Sequence, residues 1–380
     1  MIIGIDASRA FLKQRTGIEE YSYQVVKHLT KELKDCQVIL YLRDNQEMDF
    51  NLPENWKVKV IKFPYLWTQL GLSLEMLLHP VDILFIPAHT VPFIRPENTI
   101  VTIHGLEYEF CPEAYSFWER IYMRLSIKNS CQWAKTIIAV SNNTKNDLVN
   151  LYKVPEEKIE VIYEGVSNCH SGLDPESNSI LKQVQDDRFL LFIGRLEERK
   201  NIIGIIKAFE ILKEHYKIPH KLILAGKFGY GKDKIKRELK NTNCANDIIL
   251  PGYVSEEEKW ELIKNADVFL FPSFYEGFGL PILEAQSVGV PVVAGNNSSL
   301  PEITNAKVQP SKSLRLNLSE EDDDSAILVN PNNAEEIADA AYKLISDENL
   351  KNDIIKKGYE NVKRFSWSRC AEEIAKILTK

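Results

Sequence analysis

Two glutamates that lie eight positions apart, Glu276 and Glu284, enclose a glycine loop in the second half of the chain. Gly277 and Gly279 remove side chains where a ligand must approach the backbone, and a helix start after such a loop attracts negative charge. Ionised carboxylates accept hydrogen bonds from sugar hydroxyls. The pattern predicts a ligand with hydroxyls at two separated places and an anion between them, as in a nucleotide sugar. The alternative is that both acids are ordinary solvated side chains.

The residues around this loop predict the elements that position it. Val268–Phe271 is an unbroken apolar run, which is typical of a strand buried in a parallel sheet. Pro281 suits the first position of a helix and Gly289 suits the position after its last turn, so we expect a helix from Ile282 to Val288. Glu284 would then lie in the first turn, where the helix start keeps it ionised, and both carboxylates would face one crevice beyond the strand ends.

A basic turn begins the same domain. The apolar run Phe189–Ile193 leads directly into Gly194 and Arg195, and Lys200 follows five positions later at a predicted helix start. Arginine offers a fork of donors and lysine a point charge, so this spacing suits a diphosphate. A basic turn more often lies in solvent without a ligand, but the place of this turn at the carboxyl end of a predicted strand favours a diphosphate-binding site. We expect Arg199 to face solvent.

The segment EGFGLPILEA resembles the signature of the retaining glycosyltransferases of family 4, which have two Rossmann-like α/β domains facing a central cleft, the GT-B architecture. The resemblance implies that Glu276 lies against the transferred sugar and that Glu284 holds the ribose. It places the amides of Gly277, Phe278, Gly279 and Leu280 near the sugar and phosphate. It also implies that Arg195 and Lys200 neutralise the leaving phosphates, and that Tyr253 and Val254 lie by the base.

The first half of the chain offers two weaker candidates. Gly17 opens a predicted helix through Leu33, after the strand Ile2–Ile5, and the corresponding glycine loop in the family touches the donor phosphate or the acceptor. His104 ends the predicted strand Thr99–Ile103, and the family's histidine lies near the donor sugar. Many relatives have aspartate next, whereas this chain has Gly105, which leaves acceptor handling open. A plain turn and a structural histidine are the alternatives, and His89 is a weaker candidate still.

Strands and helices alternate through both halves, which predicts parallel sheets with helices on both faces. We expect residues 1–166 to form an acceptor-binding domain and 188–365 a nucleotide-sugar-binding domain, with 366–380 returning to the first through Trp367. Residues 167–187, which contain Cys169 and His170, are interpreted as a linker lengthened by an insertion without catalytic residues. Residues 307–324 are interpreted as a second, acidic insertion.

Composition limits the function classes. The chain has 380 residues with 47 basic and 54 acidic side chains, a net charge of -7, so nucleic acid is not an expected partner. Six scattered cysteines without a CxxC spacing favour reduced thiols over disulfides or zinc. The chain start does not resemble a signal peptide, and no apolar run is long enough for a membrane span. A cytoplasmic protein is expected.

Two aromatic- and leucine-rich segments, Tyr65 to Leu78 and Tyr115 to Trp133, leave two interpretations open. Basic and aromatic residues at helical spacing can lie on an anionic bilayer or contact a lipid-linked acceptor. The same pattern also describes ordinary core. The first interpretation would add a peripheral membrane contact.

Together these features predict a retaining, metal-independent glycosyltransferase without a cofactor. The segment Pro87 to Tyr115 resembles bacterial enzymes that move mannose or rhamnose onto surface polysaccharide or lipopolysaccharide precursors. The resemblance favours GDP-mannose over a UDP-hexose as donor, and a glycan or lipid-linked acceptor. No covalent nucleophile is evident, so same-face attack assisted by the leaving phosphate is expected. A sugar-nucleotide epimerase and a non-catalytic binding subunit are the alternatives.

Overall fold

The computed structural model describes residues 1–44, 46–167, 188–305 and 324–380. The chain divides into two compact units. Unit 1 comprises Met1–Glu109, Ser116–Gly165 and Phe365–Lys380, and unit 2 comprises Phe110–Tyr115 and Val166–Arg364. Apart from residues 167 and 324, both predicted insertions lie outside the described residues, as do Cys169 and His170.

Unit 1 is built on a parallel sheet of seven strands. Its strands are β1 (Ile2–Asp6), β2 (Gln37–Leu42), β3 (Trp56–Val60), β4 (Ile83–Ile86), β5 (Asn98–Ile103), β6 (Thr136–Ala139) and β7 (Ile159–Val161). The spatial order is β3-β2-β1-β4-β5-β6-β7, and every neighbouring pair is parallel. The order reverses direction between β1 and β4, which is where open α/β sheets place ligands beyond their carboxyl ends.

Helices accompany these strands. They are α1 (Gly17–Glu32), α2 (Ser73–Leu78), α3 (Glu107–Phe110), α4 (Phe117–Trp133) and α5 (Asn142–Tyr152). A wider helical turn, Trp67–Leu72, leads into α2. The predicted helix from residue 17 to Leu33 is therefore one residue shorter, because the backbone of Leu33 leaves the helical region.

Unit 2 repeats the architecture with six parallel strands. They are β8 (Phe189–Ile193), β9 (Lys221–Ala225), β10 (Ile248–Gly252), β11 (Val268–Phe271), β12 (Val292–Gly295) and β13 (Ile327–Val329). Their order is β10-β9-β8-β11-β12-β13, and every neighbouring pair is parallel. The order reverses between β8 and β11, the two strands that precede the basic turn and the glutamate loop.

The helices of unit 2 are α6 (Ile202–Glu214), α7 (Lys232–Asn241), α8 (Glu256–Asn265), α9 (Leu280–Ser287), α10 (Leu300–Ile303), α11 (Ala334–Ser346) and α12 (Glu348–Val362). The predicted Ser255–Glu258 capping box at the start of α8 is confirmed. The start predicted for α9 is wrong by two residues. Gly279, at φ +124°, completes the loop directly before Leu280, so Pro281 occupies the second helical position.

The last helix, α13 (Trp367–Leu378), is part of unit 1 and packs on α1. Trp367 is buried, with its ring centroid 6.0 Å from that of Tyr21. A Cβ at Gly165 would lie 2.1 Å from the Trp367 amide nitrogen, so only glycine allows the chain to pass there. The predicted fold class, two parallel-sheet α/β domains with a returning C-terminal helix, is confirmed.

Three properties of the described residues bear on the chemistry. Cys36, Cys111, Cys131, Cys244 and Cys370 are free thiols. Within the described ranges, histidines, cysteines and acids do not group in threes that could hold a metal ion. Among the helices of the same ranges, none combines the length and apolar character needed to cross a bilayer.

Candidate functional site

The loops after β8 and β9 are joined by backbone hydrogen bonds. Gly194 N donates to Ala225 O at 3.0 Å, and Gly226 N donates to Gly252 O at 2.7 Å at the end of β10. Gly194 and Gly226 have φ values of +151° and +140°, and a Cβ at Gly226 would lie 1.8 Å from Gly194 O. The carboxyl ends of three neighbouring strands are therefore bound together where only glycine fits.

Arg195 follows Gly194 and is exposed. It makes no ion pair or hydrogen bond with the residues that the structure describes, and its Nε lies 3.6 Å from the position that a Cβ on Gly229 would occupy. A guanidinium that follows the carboxyl end of a central strand, and that has no counter-ion among these residues, is available to bind an anion.

Lys200 ends a short 3₁₀ turn, Glu198–Lys200, and Asn201 fixes that turn. Asn201 has a left-handed backbone, and its Oδ1 accepts from Gly204 N at the start of α6. Its Nδ2 donates to Pro272 O at 3.1 Å and to Pro331 O at 2.6 Å, beyond the ends of β11 and β13. This buried asparagine therefore connects the basic turn to the strand ends on the far side of the switch point.

Lys200 and Glu276 form a buried ion pair. Lys200 Nζ lies 2.5 Å from Glu276 Oε1, and Nη1 of Arg199 lies 3.2 Å from Oε2. Burial opposes ionisation of Glu276, but the charges of Lys200 and Arg199 outweigh it and hold the pKa of the carboxyl below its usual value. Burial also lowers the pKa of Lys200, against the attraction of Glu276. Glu276 is thus a buried, ionised acceptor.

The prediction that Arg199 faces solvent is wrong. Its side chain is 16% exposed and donates to Glu197, to the Tyr275 carbonyl and to Glu276. The position of Arg199 in the sequence, four residues after Arg195, did not predict these contacts, because they depend on how the loop after β11 packs against the 3₁₀ turn.

Two serines support the glutamate loop from below. Glu276 N donates to Ser298 Oγ at 3.0 Å. The buried Ser299 hydroxyl lies 3.0 Å from Glu276 O and 2.6 Å from Phe278 O. The segment after β12 therefore sets the backbone of the loop, and the sequence did not predict a role for either serine.

The rest of the loop leads into α9. Phe278 is buried, Gly277 lies between it and Glu276, and Gly279 has φ +124°. Leu280 is the first helical residue, and no side chain among the described residues caps this end. Pro281 has no N–H group and Ile282 N donates to Gly279 O at 3.0 Å, so among the first three residues of α9 the Leu280 amide is the one that can face an anion or the lone pairs of a ligand.

Glu284 occupies the second turn of α9, not the first, because the helix starts at Leu280. Its counter-charge is Lys259 of α8, whose Nζ lies 2.9 Å from Glu284 Oε1 and 2.8 Å from Glu256. Burial opposes the charge of Lys259, but the two glutamates raise the pKa of the ammonium overall. The positive charge beside Glu284 is therefore the Lys259 ammonium and not the start of the helix.

Tyr253 and Val254 directly follow β10. Tyr253 is exposed, with Lys227 Nζ 4.8 Å from its ring centroid, and Val254 is buried. A flat exposed ring at the end of an edge strand can stack on a planar ligand. Val254 instead packs into the core of unit 2.

In unit 1, Gly17 is the first residue of α1, which begins with a Thr16–Glu19 capping box. A Cβ at Gly17 would meet nothing within 4 Å. The fold therefore does not require glycine at this position, and the space above the helix start is open.

His104 follows β5 and has a largely buried side chain. Its Nε2 lies 2.9 Å from Pro87 O and its Nδ1 lies 3.2 Å from Glu164 Oε1. A carbonyl only accepts, so Nε2 carries a proton, and Nδ1 shares a second proton site with the carboxyl group. Both ring nitrogens are engaged inside unit 1, so a ligand contact by His104 requires that one of these bonds be given up.

Glu164 and His89 complete this buried group. Burial raises the pKa of Glu164 against the stabilising contact with His104. Burial also lowers the pKa of His89 far below its usual value, so that ring is neutral and lies edge-on to His104 at 5.3 Å. Glu164 was not predicted as a partner, because it lies 60 positions from His104 and no local spacing links the two. Gly105, at φ +152°, has a backbone that disfavours aspartate.

Comparison with known families identifies two domains in this chain. The family described as Glycosyltransferase Family 4 matches residues 15–168. The family described as Glycosyl transferases group 1 matches residues 174–361.

Individual proteins show the same relationship. The O-antigen chain mannosyltransferase B of Escherichia coli is 30% identical over 282 residues, which are 73% of this chain and 69% of that protein. The structure of Anabaena Alr3699/HepE in complex with UDP-glucose matches with a TM-score of 0.73 at 18% identity, covering 100% of this chain and 99% of that one. The structure of WaaG, a glycosyltransferase involved in lipopolysaccharide biosynthesis, matches with a TM-score of 0.70 at 14% identity over all of both chains. At these identities the two structures are similar in fold.

Proposed function

The chain belongs to glycosyltransferase family 4, and on that premise we propose that it transfers a hexose from a nucleotide sugar to a hydroxyl of a glycan or lipid-linked acceptor. The process would be the synthesis of cell-surface polysaccharide or lipopolysaccharide. The two relatives whose names refer to O-antigen chains and lipopolysaccharide support this assignment.

The observation that carries the proposal is the charge arrangement at the β8–β11 switch point. Arg195 is exposed and has no counter-ion among the residues that the structure describes, while Lys200, whose side chain is 12% exposed, is paired with Glu276. A diphosphate would find a free guanidinium and an ammonium that can exchange a carboxylate for a phosphate. A sugar beside the diphosphate would find the carboxylate that the ammonium leaves.

The remaining roles follow from this placement. Glu276 would accept hydrogen bonds from the transferred sugar, and Glu284 would accept them from the ribose in competition with Lys259. The amides from Gly277 to Leu280 would lie near the sugar and phosphate, and the exposed ring of Tyr253, with Val254, near the base. Gly17 and His104 remain the candidates of unit 1 for substrate contact.

The proposed reaction retains the anomeric configuration. The bond between the anomeric carbon and the phosphate oxygen breaks, the acceptor oxygen bonds to that carbon on the same face, and the acceptor proton passes to the leaving phosphate. Arg195 and Lys200 neutralise the developing charge, which is the task a divalent cation performs in other enzymes. Transfer is therefore expected to be unchanged by a chelator.

We favour a mannose-type donor, GDP-mannose over a UDP-hexose. The relative at 30% identity is named a mannosyltransferase. The HepE structure, whose similarity is confined to the fold, holds UDP-glucose and represents the other nucleotide class.

A ligand panel tests the donor site. GDP-mannose, GDP, UDP-glucose, UDP-N-acetylglucosamine and UDP are added to the wild type, to Glu284→Ala and to Glu360→Ala, an exposed control on α12. One nucleotide class should raise the melting temperature, because a ligand at 100 times its Kd stabilises by about 2.7 kcal/mol. The rise should disappear in Glu284→Ala and persist in the control. If no nucleotide shifts the melting of the wild type, the proposed function is refuted.

The same proposal includes a peripheral contact with an anionic membrane. The two aromatic segments prove to be core on one face and exposed on the other. Trp67, Leu72 and Met76 are buried, whereas an apolar stripe at helical spacing is exposed: Leu66, Leu70, Leu74, Leu77 and Leu78, beside Tyr65 at 80% exposure. On α4, Ile127 and Cys131 are buried, whereas Phe117, Trp118, Tyr122 and Leu125 are exposed.

The charges beside these exposed faces favour an anionic bilayer as the occupant. In residues 61–78 the single acid, Glu75, is buried and paired with Lys59, while Lys62 is exposed. On α4 the single acid, Glu119, caps the helix, and Arg124 is paired with Glu109 of α3, so Arg120 and Lys128 give this face its positive balance. Aromatic and leucine side chains with flanking cations insert at the headgroup level.

Vesicle sedimentation tests this contact. The protein should sediment with vesicles containing phosphatidylglycerol and remain in solution with phosphatidylcholine alone. The double variant Leu70→Ser/Leu74→Ser should lose binding, whereas Leu151→Ser/Leu250→Ser, at two exposed leucines elsewhere, should keep it. Equal binding of both double variants, or a concentration-dependent dimer that explains the exposed stripe, would contradict the membrane assignment.

A further inference from the structure

Arg199 reaches from its own turn to the glutamate loop. Its Nη1 donates to Tyr275 O at 2.8 Å and to Glu276 Oε2 at 3.2 Å. Its Nη2 and Nε donate to Glu197 Oε1 at 2.9 and 3.2 Å. One guanidinium thus connects a carboxylate of the turn, a backbone carbonyl of the loop and the Glu276 carboxylate.

Glu276 therefore has one cation on each oxygen, and the two cations are held very differently. The Lys200 ammonium has Glu276 as its one hydrogen-bond partner among the described residues, with the Phe271 ring centroid 5.0 Å from its Nζ. Arg199 has two further anchors. A ligand phosphate can draw Lys200 away at the cost of one contact, whereas moving Arg199 would break contacts with Glu197 and Tyr275 as well.

The difference between the contacts of Lys200 and Arg199 decides the charge around Glu276 when a donor binds. In the absence of ligand, Glu197, Arg199, Glu276 and Lys200 sum to zero at neutral pH. Once Lys200 turns to a phosphate, Glu276 is left buried with Arg199 as its remaining cation. A buried carboxylate without a counter-charge takes up a proton, and a protonated Glu276 is a weaker acceptor for a sugar hydroxyl.

We propose that Arg199 is a positioning residue, which keeps the Glu276 carboxylate in place and ionised while Lys200 leaves it for the donor phosphate. The inference rests on the proposed transfer from a nucleotide sugar. Arg199 acts through Glu276 and does not touch the donor. Glu197 holds the guanidinium in turn.

The test compares Arg199→Met, Arg199→Lys and the exposed control Arg237→Met on α7. The nucleoside diphosphate selected by the ligand panel should bind Arg199→Met within about 3-fold of wild type, because its phosphates contact other residues. The kcat at pH 7 should fall by about 10- to 100-fold. Loss of an opposite charge raises a carboxyl pKa by about 1–3 units, so the acid limb of the kcat profile should move up by that amount. Arg199→Lys should recover part of both effects.

Two results would overturn the proposal. A diphosphate affinity that falls as much as kcat would make Arg199 a phosphate ligand, and an unchanged kcat and acid limb would leave it without a role in the site. A folding defect in Arg199→Met is recognised from the melting curve, and Arg199→Lys then carries the test.

A readout without substrate separates this inference from the proposed function. The Glu276 carboxylate can be titrated by infrared difference spectra against Glu276→Gln, in the wild type, in Arg199→Met and in Arg199→Lys. A pKa of Glu276 that rises in Arg199→Met, and rises less in Arg199→Lys, supports the positioning role even if the wild type transfers no sugar. A pKa of Glu276 that does not change in Arg199→Met refutes the role even if transfer is observed.

Discussion

Arg195→Met should weaken the binding of a nucleoside diphosphate without destabilising the fold. The guanidinium is exposed and has no ion pair with any residue in the described ranges, so its removal leaves no internal partner uncompensated. An exposed substitution of this kind changes the free energy of unfolding by about 0.5 kcal/mol at most.

The loss in affinity can be estimated from the contact that is proposed. A hydrogen bond to a charged group contributes about 1.5–3 kcal/mol, and every 1.4 kcal/mol is tenfold in Kd, so the diphosphate should bind about 10- to 150-fold more weakly. Lys200→Met should behave differently. It leaves Glu276 buried without its closest cation, and breaking a buried pair costs about 3–5 kcal/mol of stability.

Calorimetric titration with a nucleoside, its monophosphate and its diphosphate separates phosphate binding from base and ribose binding. Arg195→Met should spare the nucleoside and weaken the diphosphate most, while Arg237→Met should match the wild type for all three. The reasoning is refuted if Arg195→Met weakens the nucleoside as much as the diphosphate, or leaves the diphosphate unchanged.

Three further outcomes are expected. Gly226→Ala should lower the stability of unit 2 by about 1–3 kcal/mol, because the strain of a positive φ adds to the overlap of the new Cβ with Gly194 O. Gly17→Ala should not lower the stability, because a Cβ at that position meets open space. Equal melting curves for the two variants would contradict this reasoning. Gly165→Ala should make the C-terminal helix α13 sensitive to limited proteolysis, since its Cβ overlaps Trp367; unchanged resistance would show that the chain shifts aside. The pKa of Glu276 is depressed below its ordinary value of 4.5. Its ionised carboxylate therefore contributes fully to stability above that pH, and the contribution is lost as the pH falls through the depressed pKa. In melting curves between pH 3 and 6, Glu276→Gln should remove this loss of stability in acid, whereas Glu335→Gln on the exposed start of α11 should keep it.

The sequence was sufficient for the architecture because the signals were local. Apolar runs predicted the buried strands, and glycine and proline positions predicted approximately where helices begin and end. The small errors have local causes too. Gly279 adopts a positive φ that starts α9 two residues early, and this moved Glu284 into the second turn.

The partners of the site residues could not be predicted, because they come from distant parts of the chain. Arg199 and Glu276 are 77 positions apart, and His104 and Glu164 are 60 apart. Lys259 reaches Glu284 from the preceding helix. Residue type and spacing identified which groups carry charge. Only the folded loops decide which charges neutralise one another and which, like Arg195, have no counter-charge within the described part of the chain.

The return of α13 to unit 1 has a consequence for synthesis of the chain. Most of unit 1 precedes unit 2 in the chain and is synthesised before it, yet its last helix is separated from Gly165 by roughly 200 residues of unit 2. At about 5–20 residues per second, α13 follows roughly 10–40 s later. Until then the face of α1 that surrounds Tyr21 lacks its cover. The connectivity therefore makes nascent unit 1 an incomplete folding intermediate, and chaperones have access to that apolar face until α13 has been synthesised and has packed on α1.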